Sequence, residues 1–421
     1  MSKRFRAWNQ NQEHLFPRSL KEYVPAEHPA HFIVKLVSED LNMNGILSGY
    51  KELRGYPPHS PKMMTAVLLY GYMRGVYSSR KLSEACQERT DFMVVSGMNT
   101  PDHRPIARFR RKHGAELIEL FTQVLKLCKQ ARLFNLNHVA VDGTKIKGNA
   151  SLAQNASYKQ LTDDEENITQ EWLKKADQID REEDELFGED NRGNEFPTAE
   201  EALRRIREAR KHLEEEDKRE REERQKAEET GQKPKSKTKK RTAPAPEKQY
   251  NFSDPDSGIM NTAKGFLQGY NAQVAVDSKK HIIVACGVSR AKNDLNELIP
   301  LLKQIPRNCK KQAQEISADS GYCSHENLKA LKRHRIRGYI PKTDKISDVG
   351  LVKDMSLRLK RAGWRSRYHL RKITAEPVFG IIKAARAFGQ FLLRGIKNVS
   401  VEWSLACTAH NLWKLAAARS A

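Results

Sequence analysis

The sequence predicts an α/β protein: a mixed sheet flanked by helices, preceded by an all-helical unit and interrupted by a charged helical insertion between the first and second core strands. Three observations lead there. Apolar residues recur three or four apart through the first third of the chain; short β-branched words such as "NHVAVDG" and "HIIVACGV" follow; and a long run of charged helix formers separates the first such word from the rest.

Helical spacing runs from Pro25 to about Arg132, through "HFIVKLVSEDL", "PKMMTAVLLYGYMRG", "SRKLSEACQER" and "GAELIELFTQVLKLCKQAR". Within it, "NTPDHRPIARFRRKH" offers Pro105 to open a helix carrying Arg108, Arg110, Arg111 and Lys112, a cluster suited either to phosphate contacts or to a solvated helix face. The period then changes. "NHVAVDG" reads as a buried strand ending at Asp142 and closed by Gly143. From Tyr158 to Lys248 the chain predicts two long charged helices joined by "NRGNEFP", the second with Leu203, Ile206, Ala209 and Leu213 near one face, and then a mobile basic linker, "GQKPKSKTKKRTAPAPEKQ".

Strands resume at "GYNAQVAVDSKKHIIVACGVSR", whose alternation and polar turn predict a β-hairpin with Asp277 at its solvent-facing tip. Asn293 caps a predicted helix in "NDLNELIPLLKQI", kinked at Pro300. "QEISADSGY" predicts a strand ending at Asp319, Ser324 caps the next helix, and "RGYIP" is a short strand. "AEPVFGIIKAARAFGQFLLRG" then predicts a helix with Glu376 and Pro377 at its start, and "SVEWSLACTAHNLWKLAA" a closing helix. The implied units are residues 1–134 (helical), 135–157 and 251–421 (the sheet and its helices) and 158–250 (insertion and linker).

The 421 residues carry 75 Lys and Arg against 53 acids, a net charge of +22 that points to a polyanionic partner. No apolar run approaches the ~20 residues of a membrane span and no signal core opens the chain, so an intracellular, cytoplasmic protein is expected. Six scattered cysteines without a C-x-x-C pair argue against a disulfide framework or zinc knuckle, and predict reduced, mostly buried thiols.

Asp142 and Asp319 at strand ends and Glu376 at a helix mouth share the kind of position where sites assemble. Three convergent carboxylates offer the hard oxygen ligands that phosphodiester chemistry needs for Mg²⁺; without a cation they would repel and raise one another's pKa. Each also has a plainer reading, as a turn acid before glycine or a helix-start acid. "FSDPDSG" adds Asp254 and Asp256, read as local turn chemistry, and His103 and His410 have no partner spacing for catalysis. In "YHLRKITAEPVFGIIK", Glu376, Gly380 and Lys383 fall near one helical face, while Tyr368 and Arg371 precede it and can reach a phosphate.

With these motifs, "HVAVDGTKIKGNAS", "SADSGYCSHENLKAL" and "YHLRKITAEPVFGIIK", nearly the whole chain resembles the DDE transposases of bacterial insertion sequences, particularly the insertion-sequence-four-like superfamily with an InsH-like N-terminal domain. The last motif is similar to that family's Tyr, Arg, Glu, Lys signature, but four residues separate Arg371 from Glu376 where the family has three, so Lys372 is a second candidate for the Arg position. The resemblance implies an RNase H-like core with Asp142, Asp319 and Glu376 as catalytic, metal-binding acids. It implies two ions per site, Mg²⁺ or Mn²⁺, hydrolysis at transposon ends, and attack of the freed 3′-hydroxyl on target DNA. It also implies Tyr368, Arg371 or Lys372, and Lys383 as DNA contacts, a homodimer on DNA, a nucleoid-associated location, and neither a membrane nor a small-molecule cofactor. A catalytically silent DNA-binding derivative and a nuclease without strand transfer are the other readings.

Overall fold

The computed structural model describes residues 19–50, 57–163, 199–229, 243–262, 265–343, 346–362 and 367–419. The first predicted insertion helix and the basic linker lie largely outside the described residues.

Among the described residues seven α-helices come first: α1 (Pro29–Lys35), α2 (Asn44–Leu47), α3 (Pro61–Arg74), α4 (Ser79–Glu88), α5 (Thr90–Ser96), α6 (His103–Lys112) and α7 (Gly114–Gln130). Local chemistry sets their ends. Pro29 and Pro61 occupy first-turn positions where no N–H is needed, the Asp102 carboxylate accepts from His103 N–H ahead of α6, and Gly75 ends α3 in the left-handed region at φ 77°.

The sheet follows: β1 (His138–Lys147), β4 (Gly258–Thr262), β5 (Gly265–Asp277), β6 (Ile283–Ser289), β7 (Glu315–Ser317) and β8 (Arg337–Tyr339). Its order is β4-β5-β1-β7-β8, with β6 also on β5; β1 is antiparallel to β5 and parallel to β7. Helices α10 (Leu298–Cys309), α11 (His325–Arg333), α12 (Leu351–Ala362), α13 (Leu370–Gly380) and α14 (Ile396–Arg419) surround it. This is the mixed, helix-flanked, RNase H-like arrangement expected. One continuous apolar core unites the N-terminal helices with the sheet, because α14 packs on α3, α7 and β6 together.

Between β1 and β4 the insertion leaves through β2 (Asn155–Ser157) and α8 (Tyr158–Asp163), runs along α9 (Ala199–Glu229) and returns through β3 (Gln249–Asn251), which pairs with β2. It has its own small core of Ala156, Leu161, Ile206, Ala209 and Leu213. Beyond Leu213 the helix continues, and Glu216 pairs with Lys248 on the returning chain at 3.1 Å and with Arg290 of the core at 2.9 Å.

Four expectations are corrected. β1 does not end at Asp142 but continues to Lys147, since its pairing with β5 holds through Lys147↔Gly269. Asp277 does end a strand at the hairpin turn, but it is fully buried: its carboxylate accepts from the backbone N–H groups of Leu136 (2.8 Å) and Lys279 (2.9 Å) and so fastens the turn to the start of β1. The helix after β6 starts at Leu298, with Pro300 in its first turn rather than at a kink; Asn293 accepts only from Leu295 N–H in a preceding turn. Glu376 lies inside α13, not at its mouth. Asp254 and Asp256 also do more than shape a turn, accepting from Gly395 and Ile396 N–H at the start of α14. All six cysteines are free thiols, five of them buried.

A helix side chain completes the sheet beside β6. Asn411 on α14 donates to Ile283 C=O at 2.8 Å and accepts from Ile283 N–H at 2.9 Å, standing in for a neighbouring strand. Leucine at this position would leave two buried backbone groups unpaired, so Asn411→Leu should cost on the order of 2–4 kcal/mol. A thermal unfolding midpoint several degrees below the parent checks it.

Candidate active site

The parallel pairing of β1 with β7 is short. It covers only His138 to Ala140 against Glu315 to Ser317; beyond that β1 stays on β5, while the chain after β7 bends into a 3₁₀ turn at Ser320–Tyr322. A notch opens at this end of the sheet. Asp142 lies two residues past Ala140 and Asp319 two past its partner Ser317, where the pairing has ended, and the two carboxylates are near enough for the charge of Asp319 to raise the pKa of Asp142. Gly143 is glycine here for close approach and not for a turn, because a Cβ would overlap the Gln273 amide nitrogen and sit 2.9 Å from Asp294 Oδ1.

Asp142 Oδ1 accepts from Gly143 N–H at 3.0 Å, and Asp319 Oδ1 from Gly321 N–H at 2.9 Å. Helix α13 packs across β1 and brings the third acid. Arg371, on its first turn, donates from Nη1 to Asp142 Oδ2 at 3.1 Å while Nη2 stands 3.7 Å from Glu376 Oε1. Asp142 and Arg371 are each 13% exposed, against 54% for Glu376. Arg371, not the exposed Lys372, is therefore the cation among the acids. After α13 the helix loosens into a π turn at Ile381–Ala385, from which Lys383 Nζ donates to Thr144 Oγ1 at 3.0 Å, two residues beyond Asp142 on β1. Tyr368 is half-buried in the turn leading into α13.

Burial pushes the Asp142 carboxyl up to about 6; Arg371 and the Gly143 N–H pull it down, and Asp319 and Asp294 push it further up. Asp319 is raised for the same first reason, with Asp294 adding to the shift and the Gly321 N–H and Arg371 opposing it. Among the described residues no three His, Cys, Asp or Glu side chains form a metal-binding group; the guanidinium of Arg371 supplies the positive charge between Asp142 and Glu376. The donor set nevertheless fits a hard divalent ion: carboxylate oxygens, two of them from half-buried aspartates whose ionised forms lack sufficient counter-charge.

In the basic cluster of α6, Arg108, Arg111 and Lys112 are exposed. Arg110 is not. It is 3% exposed and donates to Tyr77 C=O at 3.0 Å and Tyr72 Oη at 3.2 Å, close to the buried Glu402, so it ties α6 into the core and cannot reach a phosphate. This corrects its reading as a DNA contact.

Several neighbours of the acids escaped the sequence reading: Asp294, Lys145, Asn271, Gln273 and Tyr322. Asp294 Oδ1 accepts from Asn271 and Gln273 side-chain amides at 2.7 Å each, with Lys145 Nζ at 3.4 Å. The only signal in the sequence was polarity, Asn and Gln alternating with apolar residues along β5 on a face that should have been core.

Residues 18–112 match the family described as "Transposase domain (DUF772)", and residues 238–412 match "Transposase DDE domain". The chain belongs to the DDE transposases of insertion sequences. No curated protein and no solved structure matches it. The second match contains Asp319 and Glu376 but starts after Asp142, which joins them only through the sheet. Among the described residues of this transposase no helix is long and apolar enough to cross a membrane.

A carboxyl with a folded pKa raised to about 6 binds more protons folded than unfolded between pH ~4 and 6, so its contribution to stability is present below the unfolded value and lost as pH rises through 6. Asp142→Asn removes that loss. The unfolding midpoint of the metal-free variant, relative to the parent, should therefore rise as pH is taken from 4 to 7; parallel curves would contradict the environment described for Asp142.

Proposed function

We propose that this transposase binds the ends of its element, cleaves them by phosphodiester hydrolysis that depends on Mg²⁺ or Mn²⁺, and joins the freed 3′-hydroxyls to target DNA. The observation that supports this reading is the parting of β1 and β7 two residues before Asp142 and Asp319, with Arg371 ion-paired to Asp142 and Glu376. Asp142, Asp319 and Glu376 would hold the ions, two per site, which supply an activated oxygen nucleophile and charge relief for the leaving oxygen. Arg371 holds the acids' charge in the free protein and is placed to meet a phosphate oxygen when DNA arrives. Lys383, anchored beside β1 on Thr144, and Tyr368, in the turn before α13, would position the strand to be cut.

Arg108, Arg111 and Lys112 present positive charge on one exposed helix and would contact the DNA backbone, with specificity for the ends lying elsewhere. Two ends must be joined in one event, so the working form would be a homodimer on DNA. A protein of this kind would work in the cytoplasm at the nucleoid.

Asp142→Asn, Asp319→Asn and Glu376→Gln should each lower cleavage of labelled element-end DNA in Mg²⁺ by ~100-fold or more while end binding in Ca²⁺ persists. Nicking without joined products would instead identify a nuclease, and binding without nicking by the parent protein a silent derivative. Replacing Arg108, Arg111 and Lys112 together by Ala should reduce the slope of log affinity against log salt by roughly 2 to 3. Arg110→Ala should leave that slope alone and lower the unfolding midpoint; a slope that changes with Arg110 would return it to the interface.

A further inference from the structure

Beneath the notch lies a closed ring of buried polar groups. Gln273 donates its amide to Asp294 Oδ1 at 2.7 Å, and its amide oxygen accepts from Tyr322 Oη. The Tyr322 carbonyl accepts from the Asn327 side chain at 2.7 Å, and that same amide donates at 2.8 Å to the carbonyl of Leu295, the residue after Asp294. Gln273, Tyr322 and Asn327 are at most 1% exposed. The orientation of Gln273 is dictated, since flipping its amide would break the bonds to Tyr322 and Asp294 at once. Its backbone is also fixed, with the Gln273 carbonyl accepting from Trp403 Nε1 at 3.0 Å.

This ring lies against the backbone that carries both half-buried acids. Gln273 Nε2 occupies the space a Cβ on Gly143 would take, directly after Asp142, and Tyr322 ends the turn that begins at Asp319. Asp294 closes the ring from a third element, the segment between β6 and α10, and gathers Lys145 and Asn271 on the same oxygen. Its other oxygen, Oδ2, stands 3.7 Å from the point where a Gly321 Cβ would lie, and Asp319 Oδ1 is 3.0 Å from that point.

We propose that Asp294 is a positioning residue for the transposase reaction: acting through Gln273, Tyr322 and Asn327, it sets the spacing of Asp142 and Asp319. This rests on the function proposed above. The acceptor oxygen, not the charge, is what the ring uses, so Asn can serve where Ala cannot.

The test compares full-length parent, Asp294→Ala, Asp294→Asn and Asp142→Asn proteins in three measurements: Mn²⁺ binding by calorimetry, amide hydrogen exchange over residues 319–327, and cleavage of element-end DNA. Asp294→Ala should speed exchange in that segment, weaken Mn²⁺ binding and reduce kcat by ~10- to 100-fold, and leave KM for DNA unchanged. Asp294→Asn should recover most of each loss. Parent-like exchange and Mn²⁺ affinity in the Ala variant would overturn the proposal, as would an Asn variant as impaired as Ala, which would place the carboxylate's charge on the cation itself. A kcat loss matching only the loss of folded protein would reduce Asp294 to a stability role and also overturn it. If the parent binds Mn²⁺ but cuts nothing, the proposed function fails, while exchange and Mn²⁺ binding still decide the role of Asp294.

Discussion

The structure depends on how soon β1 and β7 part. Three register pairs hold them together, and then β1 remains clamped along β5 for seven more residues while β7 ends. If the parallel pairing ran on, the positions of Asp142 and Asp319 would be laddered into the sheet and their side chains buried among apolar neighbours. Because it stops, two acids meet at the edge of a rigid sheet without either strand being strained. The turn after β7 is secured by Asp319 itself, whose carboxylate accepts from Gly321 N–H, so the residue that faces the notch also shapes the loop that carries it.

Crowding acids in a half-buried notch is costly unless something balances the charge, and the molecule meets that cost in two ways. One is a greater affinity of Asp142 for a proton, since burial raises its pKa to about 6. The other is Arg371, which reaches Asp142 and Glu376 from the first turn of the helix that carries Glu376. A guanidinium is well suited to this: planar, permanently charged, and able to address two carboxylates at once. The acids are thus kept together before any divalent ion is present, and binding such an ion at neutral pH has to compete with an internal cation and with a fraction of bound proton.

Much of this was legible in the sequence. The helical first third, the hairpin and the second insertion helix were carried by periodicity and turn chemistry, whereas of the three acids expected at element ends only Asp319 lies just past one. What failed did so for identifiable reasons. Gly143 looks like a strand terminator because a glycine usually is one, yet here it makes room for a side chain from the neighbouring strand. Asp277 looks like an exposed turn residue because nothing in its neighbourhood shows that backbone N–H groups from the start of β1 will bury it. Arg110 belongs by composition to a basic surface cluster, but it turns inward to Tyr77 C=O and Tyr72 Oη, with Glu402, nearly three hundred residues later, 3.9 Å away. Asp294 was passed over in favour of Asn293 because capping rules reward the first residue of a helix-like run, whereas the helix begins at Leu298. Each error is a long-range contact overriding a local preference.

The insertion shows why a site can survive nearly a hundred residues placed between its first acid and the others. Chain leaving β1 and chain returning to β4 meet as the paired strands β2 and β3, with Asn155 opposite Asn251, so the core sees a short connection whatever lies beyond. Closing a longer loop adds only slowly to the entropy cost, and the inserted segment has its own apolar cluster around Ile206 and Leu213 to fold against. An ion pair from Glu216 to Arg290, just past β6, then ties the long helix to the sheet, and a second to Lys248 ties it to the returning chain. The register between β1 and β5 is left undisturbed, and with it the placement of Asp142, which lies outside the sequence span of the matched DDE domain yet ion-pairs with Arg371 inside it.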